Sequence, residues 1–262
     1  TGQTSESTII QLTKSRAAEL GFNGDDQKKL NTGATYMGVR AAKIAQAIRA
    51  MVNEVEFDLA GLQSTFSRAY GTAGSTPFGT ANDYTDASNV LKILKDNGSP
   101  VSDNQLVLNT SAGANFIGKQ SAVNSAGTDS MLRQGVLLDL AGMPLRESAQ
   151  INNHTAGSAA NATTNNAGYA VGATVLTLAS AGTGALLAGD VVTFAGDTNK
   201  YVVASGDANV SGGGTITLAA PGLRKAIGTS ATAITVVGSS ARNMAFNRSA
   251  IVLAARAPAR PE

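Results

Sequence analysis

The segment with the clearest potential for chemistry is 113–119, which has the G-x-x-x-x-G-K spacing of a phosphate-binding loop. Such a loop also needs a Ser or Thr hydroxyl for magnesium directly after the lysine, and Gln120 stands there instead. The residues after Gln120 are predicted to form a loop, not the helix whose N-terminus would meet phosphate. Phe116 and Ile117 are predicted to anchor a short helix in the core. The segment is therefore interpreted as structural, and Lys119 is not expected to bind or hydrolyse a nucleotide.

The remaining residues that could do chemistry give no catalytic constellation. His154 is the only histidine, and it precedes a Ser/Thr/Asn-rich stretch in a chain that has no G-x-S-x-G motif. It is predicted to be a solvated loop histidine. Asp190, Asp197 and Asp207 fall at turns, where aspartates usually accept hydrogen bonds from their own backbone. Because cysteine is also absent, no catalytic, cofactor-binding or metal-ligating residue is predicted, and the protein is not expected to be an enzyme.

One long helix is predicted to organise the first half of the chain, over about residues 30–59. Its apolar residues recur every three or four positions, which is the spacing of one helical face: Leu30, Ala34, Met37, Ala41, Ile44, Ile48, Met51, Val55 and Leu59. A helix of this length would reach about 45 Å. The apolar face is predicted to pack in the core, so a charged residue in place of Ile48 should destabilise the fold. Arg49 is predicted to be exposed to solvent, and its replacement should cost little stability. A two-stranded coiled coil is less favoured, because alanines thin the face and the period stops after Leu59.

Shorter elements are predicted on both sides of this helix. Alternation and turn residues predict strands, and helical spacing predicts further helices. The predicted strands are 7–12, 104–108 and 143–148, with a turn at 21–26. The predicted helices are 85–95, 110–117 and 130–140.

The composition changes after His154. Residues 155–166 are predicted to be a linker, and beyond them the pattern is entirely β. Five strands bounded by glycine turns are predicted, at 173–178, 190–194, 200–204, 215–219 and 233–237, with one helical turn at 221–227. After residue 238 the sequence pattern again resembles the mixed helix and strand pattern of the first part of the chain. The predicted domains are therefore a first part at 1–154, an inserted all-β, barrel-like domain at 155–237 and a return to the first fold at 238–262, in an α+β class overall.

The length and the net charge of the chain limit its possible functions further. The chain has 262 residues, 43% of them hydrophobic and 15% charged, so it is globular and not disordered. Its net charge is +2, because the chain has 20 Lys and Arg residues and 18 Asp and Glu residues. Residues 238–262 carry four Arg against one Glu, a balance of +3. This pattern does not predict a sequence-reading nucleic-acid surface. No apolar run approaches a membrane span, and the ends of the chain suggest a trimmed or processed fragment.

Five segments together resemble the major capsid (coat) proteins of tailed bacteriophages and prophages. They occur in the order of that family over most of the chain: RAMVNEVE at 49–56, SRAYG at 67–71, GMPLRES at 142–148, GDVVTFAG at 189–196 and NMAFNR at 243–248. The resemblance implies the fold of tailed-phage and herpesvirus capsids, with a long spine helix matching 30–59 and an inserted β-barrel matching 169–237.

The resemblance also implies a function. Such subunits assemble as pentamers and hexamers into an icosahedral shell around double-stranded DNA, in the bacterial cytoplasm and in some cases with a scaffolding protein. They carry no cofactor and contact no membrane. Two alternatives remain open from the residues alone: an exported or tail-associated β-rich binding module, and a nucleotide-binding enzyme centred on Lys119.

Overall fold

The part of the chain that the computed structural model describes comprises residues 9–19, 21, 23–31, 36–80, 83–119 and 139–256. It contains both helices and sheets, which confirms the mixed α+β class. The chain divides into two units, residues 1–56 with 249–262 (unit 1) and residues 57–248 (unit 2). The predicted helix at 130–140 lies almost entirely outside the described residues, as do residues 120–138.

Helices dominate unit 1. Helix α1 spans Gly24–Asn31, and α2 spans Tyr36–Gly61 with its last turn in unit 2. The predicted long helix is confirmed over 36–59, but the turn predicted at 21–26 was wrong in part, because α1 begins at Gly24. Residues 9–12 form no strand, so that prediction was wrong for the described part of 7–12. β-Branched residues favour strands only where a neighbouring strand offers hydrogen bonds, and residues 9–12 pair with none of the described strands.

A three-stranded sheet organises the first part of unit 2. Its central strand β2 (Asn104–Leu108) pairs antiparallel with the late strand Met244–Asn247 and parallel with Leu145–Glu147. Helices α3 (Thr85–Asp96) and α4 (Thr110–Lys119) contribute to the same core. Predicted strands 104–108 and 143–148 and predicted helices 85–95 and 110–117 are confirmed. The buried core here consists of Phe78, Ala87, Leu106, Leu108, Ala112, Phe116, Met143 and Leu145.

A six-stranded sheet forms the second part of unit 2. In chain order its strands are β1 (Arg68–Ala69), β5 (Val175–Leu178), β6 (Val191–Phe194), β7 (Lys200–Ser205), β8 (Gly214–Leu218) and β9 (Ile234–Val236). The order in space is β5-β8-β7-β6-β9, and β1 also pairs with β7. The five predicted β strands are confirmed, and Ile216 and Leu218 face inward as their alternation predicts. In the same chain-order numbering, the strands of the three-stranded sheet that pair with β2 are β3 (Leu145–Glu147) and β11 (Met244–Asn247).

Two predictions about this region were wrong. The predicted linker 155–166 is packed against the sheet: Ala162 and Thr164 are buried, and Thr164 N–H donates to the Thr232 carbonyl oxygen at 2.9 Å. The predicted helical turn at 221–227 is a series of turns in which Ile227 exchanges two backbone hydrogen bonds with Tyr169, each 2.8 Å. Small polar residues allow a loop, but the hydrogen bonds of neighbouring strands decide its conformation.

A short two-stranded stem joins the two sheets. Strand β4 (Asn153–His154) pairs antiparallel with β10 (Ser240–Ala241), with His154 opposite Ser240. The chain thus leaves the three-stranded sheet after β3 and returns to it at β11 through adjacent strands. Close ends are typical of domain insertions, although the predicted boundaries 1–154, 155–237 and 238–262 stay a prediction.

Replacing residues 155–237 with a short Gly/Ser link tests those boundaries. The largest apolar cluster draws all its buried members from residues 162–234, so the removed piece takes its own core with it. We expect the shortened chain to melt cooperatively by circular dichroism, at a lower temperature because β1 loses β7. The isolated piece 155–237 should also melt cooperatively. Aggregation or a gradual melt of the shortened chain would show that both sheets share one core.

Candidate functional site

The phosphate-loop spacing at 113–119 lies within helix α4 and forms no loop. Phe116 packs edge-on against Phe78 and Tyr84, with ring centroids 5.5 and 5.9 Å apart. The Lys119 ammonium donates to the Asp83 carbonyl oxygen and lies 5.6 and 5.4 Å from the centroids of the same two rings. The predicted core role of Phe116 is confirmed. Gln120 lies outside the described residues, and the absence of nucleotide binding stays a prediction.

The most connected polar group in unit 2 is the Asp190 carboxylate, directly before β6. Its side chain is fully buried. Oδ1 lies 2.9 Å from Nε2 of His154, and Oδ2 accepts the N–H of Leu187 at 2.7 Å. The N–H of Gly157 donates to both oxygens at 3.0 and 3.1 Å. The carboxylate therefore ties the stem, residue 157 and its own turn to one point.

Two glycines make this convergence possible. A Cβ at Gly157 would lie 2.5 Å from Asp190 Oδ2 and 2.4 Å from the Ala185 carbonyl oxygen. Gly189 has φ +88°, and a Cβ there would lie 2.9 Å from Cε1 of His154. Any side chain at either position would push the stem away from the carboxylate, and at Gly189 an L residue would also be strained.

Arg242, directly after β10, completes what we call the Asp190 cluster: His154, Asp190 and Arg242. Its guanidinium donates to the Gly189 carbonyl oxygen. Burial lowers the pKa of Arg242, and the nearby charge of Asp190 opposes that effect. Both strands of the stem thus carry a side chain that holds the turn 189–190.

His154 is not a solvated loop histidine, so that prediction was wrong. It lies on β4 with 14% of its side chain exposed and is paired to a buried carboxylate. The prediction that Asp190 caps its own turn was correct but incomplete. The contacts with His154 and Gly157 span 36 and 33 residues, so no local pattern reveals them. The only local signal was a Gly-Asp pair immediately before a buried strand.

Ser64, which lies beside this cluster, does not make the serine–histidine contact of a Ser-His-Asp triad. Ser64 is the serine nearest Gly189 in the described residues, since a Cβ on that glycine would lie 2.8 Å from Ser64 Cβ. Its hydroxyl, however, donates to the Gly61 carbonyl oxygen at 3.1 Å. A nucleophile must be hydrogen-bonded to the base that activates it. The contacts of the Asp190 cluster join the stem to the turn before β6.

A second polar junction joins β1 to β7. The Arg68 side chain is 6% exposed, and its Nη1 lies 3.6 Å from Asp96 Oδ2. Its Nη2 donates to Oδ1 of Asn199. Across β7, the Tyr201 hydroxyl donates to Asp197 Oδ2 at 2.7 Å and accepts the Arg224 N–H at 2.9 Å. Burial, reinforced by the bond to Asp197, raises the pKa of Tyr201 to about 12. The segment 67–71 is thus fixed to β7 by the pairing of β1 and by the Arg68 side chain.

Tyr201→Phe is expected to change the alkaline stability of the protein. The folded pKa of about 12 exceeds the unfolded value of about 10, so the phenol stabilises the fold below pH 10 and this stability is lost between pH 10 and 12. Chemical unfolding over that range should show a decline on the order of 2 kcal/mol that the variant lacks. Tyr70→Phe, at an exposed position, is the matched control. An equal decline in the Tyr201→Phe variant would contradict the assignment.

Helix α2 carries a row of exposed apolar side chains. No described side chain of unit 1 is buried. Met37 is 73% exposed, Ile48 53% and Val55 41%. We call the face formed by Met37, Ala41, Ile44, Ile48, Met51 and Val55 the α2 stripe. The prediction that this face packs in the core of the chain was wrong for the described residues, because periodicity identifies an apolar face but not what covers it.

Charges are separated along α2. Arg40 and Lys43 lie in its first half and Arg49 at its middle, whereas Glu54, Glu56 and Asp58 lie towards its end. Within unit 1, Glu54 accepts a hydrogen bond from Arg16 at 2.5 Å and lies 3.3 Å from Lys14. The hydrogen bond from Arg16 is the main cause that holds the pKa of Glu54 below its usual range. The apolar side chains at Ile9, Ile10 and Leu12 remain exposed, so the residues near Lys14 do not cover the α2 stripe.

The described ranges contain no group of three His, Cys, Asp or Glu side chains close enough to hold a metal ion. No helix within them is long and apolar enough to cross a membrane. Comparison with known proteins gives no assignment, since the sequence matches no protein-family model and no curated protein. The features that bear on function are the α2 stripe, the stem with its Asp190 cluster, and the polar junction that joins β1 to β7.

Proposed function

We propose that the chain is a structural subunit of a self-assembling shell, of the tailed-bacteriophage major capsid class and fold. The observation that carries the proposal is the α2 stripe. A single chain that leaves such a face of a 26-residue helix in water is incomplete by itself, because exposed apolar patches of this kind usually mark protein contacts. Copies of the same chain are the partners that a shell supplies.

The positions of the capsid-like segments support the proposal. Segment 49–56 lies on α2, and segment 67–71 contains β1, which pairs with β7. Segments 142–148 and 243–248 contain β3 and β11, the two outer strands beside β2. Segment 189–196 contains Asp190. Each segment thus belongs either to the exposed helix or to a junction between parts of unit 2, where a shared architecture would constrain the sequence most.

The charge of the chain is compatible with enclosing DNA. A net charge of +2 gives weak attraction to phosphates and no base-reading surface, which suits contact with double-stranded DNA independent of its sequence. In this proposal the subunits form pentamers and hexamers of an icosahedral virion shell, assembled in the bacterial cytoplasm, with a scaffolding protein as a further partner. The subunit performs no catalysis and uses no cofactor.

The two other functions have less support. A nucleotide site at Lys119 would need its ammonium, which is held by Asp83 and two aromatic rings. A β-rich binding module would need a recognition surface on the six-stranded sheet, and its largest aromatic residues, Phe194 and Tyr201, are buried in the core. Neither function uses α2.

Purification of the full-length chain expressed alone in bacteria tests the proposal. Sedimentation velocity followed by negative-stain electron microscopy should show closed particles of uniform diameter in equilibrium with small oligomers. The same chain with residues 36–61 replaced by a flexible Gly/Ser segment of equal length is the control, and it should form none. A full-length chain that stays monomeric at high concentration, with or without a scaffolding protein, would contradict the proposal.

A further inference from the structure

The charge order of α2 selects an arrangement for its partner. All three basic residues precede position 50 and all three acidic residues follow position 53. A parallel copy of the helix would bring the acidic residues at 54–58 of the two copies side by side. An antiparallel copy centred near residue 46 instead brings Arg40 of each helix beside the acidic residues of the other, while Lys43 and Arg49 lie level with each other away from the apolar seam. Antiparallel packing also aligns the helix dipoles favourably.

The apolar positions fit the same arrangement. Steps of four and three alternate along the α2 stripe, which is the heptad spacing of a helix pair. In an antiparallel register centred near residue 46, Ile44 meets Ile48 of the second copy. In the same register Met37 meets Val55 of the second copy. Every contact along the seam is then apolar.

Residues beside the seam agree with this register. It places Arg40 beside Glu54 of the second copy at both ends of the pair. On the other flank it places Gly38 beside Val52 of the second copy. Among the described residues, nothing outside the adjoining backbone of α2 lies within 4 Å of a Cβ at Gly38, and Val52 is exposed. A glycine at this point leaves room for the larger side chain.

We infer that two copies of this chain pair through α2 in antiparallel orientation about a two-fold axis near residue 46. The inference rests on the proposed function for its place within a shell, but the pairing can be tested separately. The apolar seam holds the pair together, and the two Arg40–Glu54 contacts set its orientation. The pair uses the heptad spacing only over residues 37–55, so it does not need the period to continue past Leu59 as an extended coiled coil would. Because the contact is symmetric, both copies contribute the same residues to it.

Charge reversal tests the pairing in trans. Arg40 and Glu54 are 14 residues apart on one helix, about 21 Å, so they do not contact each other within a chain. R40E should place two carboxylates side by side at each end of the pair and weaken pairing roughly tenfold in sedimentation equilibrium. E54R should weaken it similarly. The double variant R40E/E54R, and an equimolar mixture of the two single variants, should both recover most of the lost affinity.

The mixture is the decisive arm, because it restores both contacts only if the copies are antiparallel. E54R also removes the contact of Glu54 with Arg16 within the chain, and mixing does not repair that loss. R40E/R49E, which adds a second reversal on the same helix without a compensating change, is the control that should remain weak. Failure of both the mixture and the double variant to recover would overturn the register.

Cross-linking tests the orientation independently, since the chain contains no cysteine. A47C lies near the proposed axis and should give a covalent dimer with a short bifunctional thiol reagent. M37C should not, because the two Met37 positions would be about 27 Å apart along the pair. Dimers from both variants would indicate parallel pairing and overturn the inference. Shells formed by R40E at wild-type yield would overturn the pairing alone, whereas pairs without shells would support it and contradict the proposed function.

Discussion

Asp190→Asn is expected to lower the free energy of unfolding by about 3–5 kcal/mol, which is the typical cost of breaking a buried charged network. The carboxylate is fully buried and accepts the backbone N–H groups of Gly157 and Leu187. Asparagine has the same shape but only one acceptor oxygen, so its amide N–H groups would face donors that the carboxylate now satisfies. Chemical denaturation monitored by circular dichroism measures the loss.

Asp207→Asn is the matched control for this variant. Asp207 also accepts a backbone N–H, that of Asn209 at 2.8 Å, but its side chain is partly exposed. Water can replace the lost interaction there, so we expect a loss of about 1 kcal/mol or less. If the two variants lost the same stability, the Asp190 cluster would not be the tie between stem and sheet.

Ile48→Asp is expected to abolish self-association while changing the stability of the single chain by less than about 1 kcal/mol. This differs from the large destabilisation that the sequence alone predicted, because Ile48 is about half exposed in the structure. A charge there costs little in water but a great deal when another apolar surface must cover it. Sedimentation velocity and thermal melting of the same sample separate the two effects.

Asn53→Asp provides the control. It adds the same charge to the same helix at an exposed position outside the α2 stripe. We expect this variant to assemble like the wild type. Loss of assembly in both variants would mean that net charge, and not the apolar face, governs association. A strongly lowered melting temperature for Ile48→Asp alone would mean that the α2 stripe packs within its own chain.

The elements could be predicted where the pattern and the local hydrogen bonds agree. Strands 104–108, β5 and β8 follow from alternation, since one face of each is buried. β6 and β7 are buried on both faces and follow from their apolar residues between glycine turns. Helix α2 follows from its period. Residues 9–12 have a strand-like composition without a partner strand, and composition alone cannot supply one. The packing of 155–166 depends on backbone bonds to residues up to 72 positions away.

The polar sites could not be predicted for a different reason. His154 and Asp190 are brought together by the pairing of β4 with β10 and by the turn before β6. No sequence pattern next to His154 or Asp190 indicates this contact. The glycines at 157 and 189 are the only trace of it, and their role is visible only when the space around them is known. The exposure of the α2 stripe likewise depends on what the rest of the chain leaves uncovered.

Methionine oxidation tests most directly whether other copies cover the α2 stripe. Met37 is exposed in the single chain, whereas Met143 and Met244 are buried in unit 2. In dissociated subunits treated with dilute peroxide, mass spectrometry of peptides should find rapid sulfoxide formation at Met37 and little at the two buried residues. In assembled particles oxidation of Met37 should slow at least about tenfold, to the level of Met143. An equal rate of Met37 oxidation in particles and in free subunits would show that the face stays in water and contradict the account.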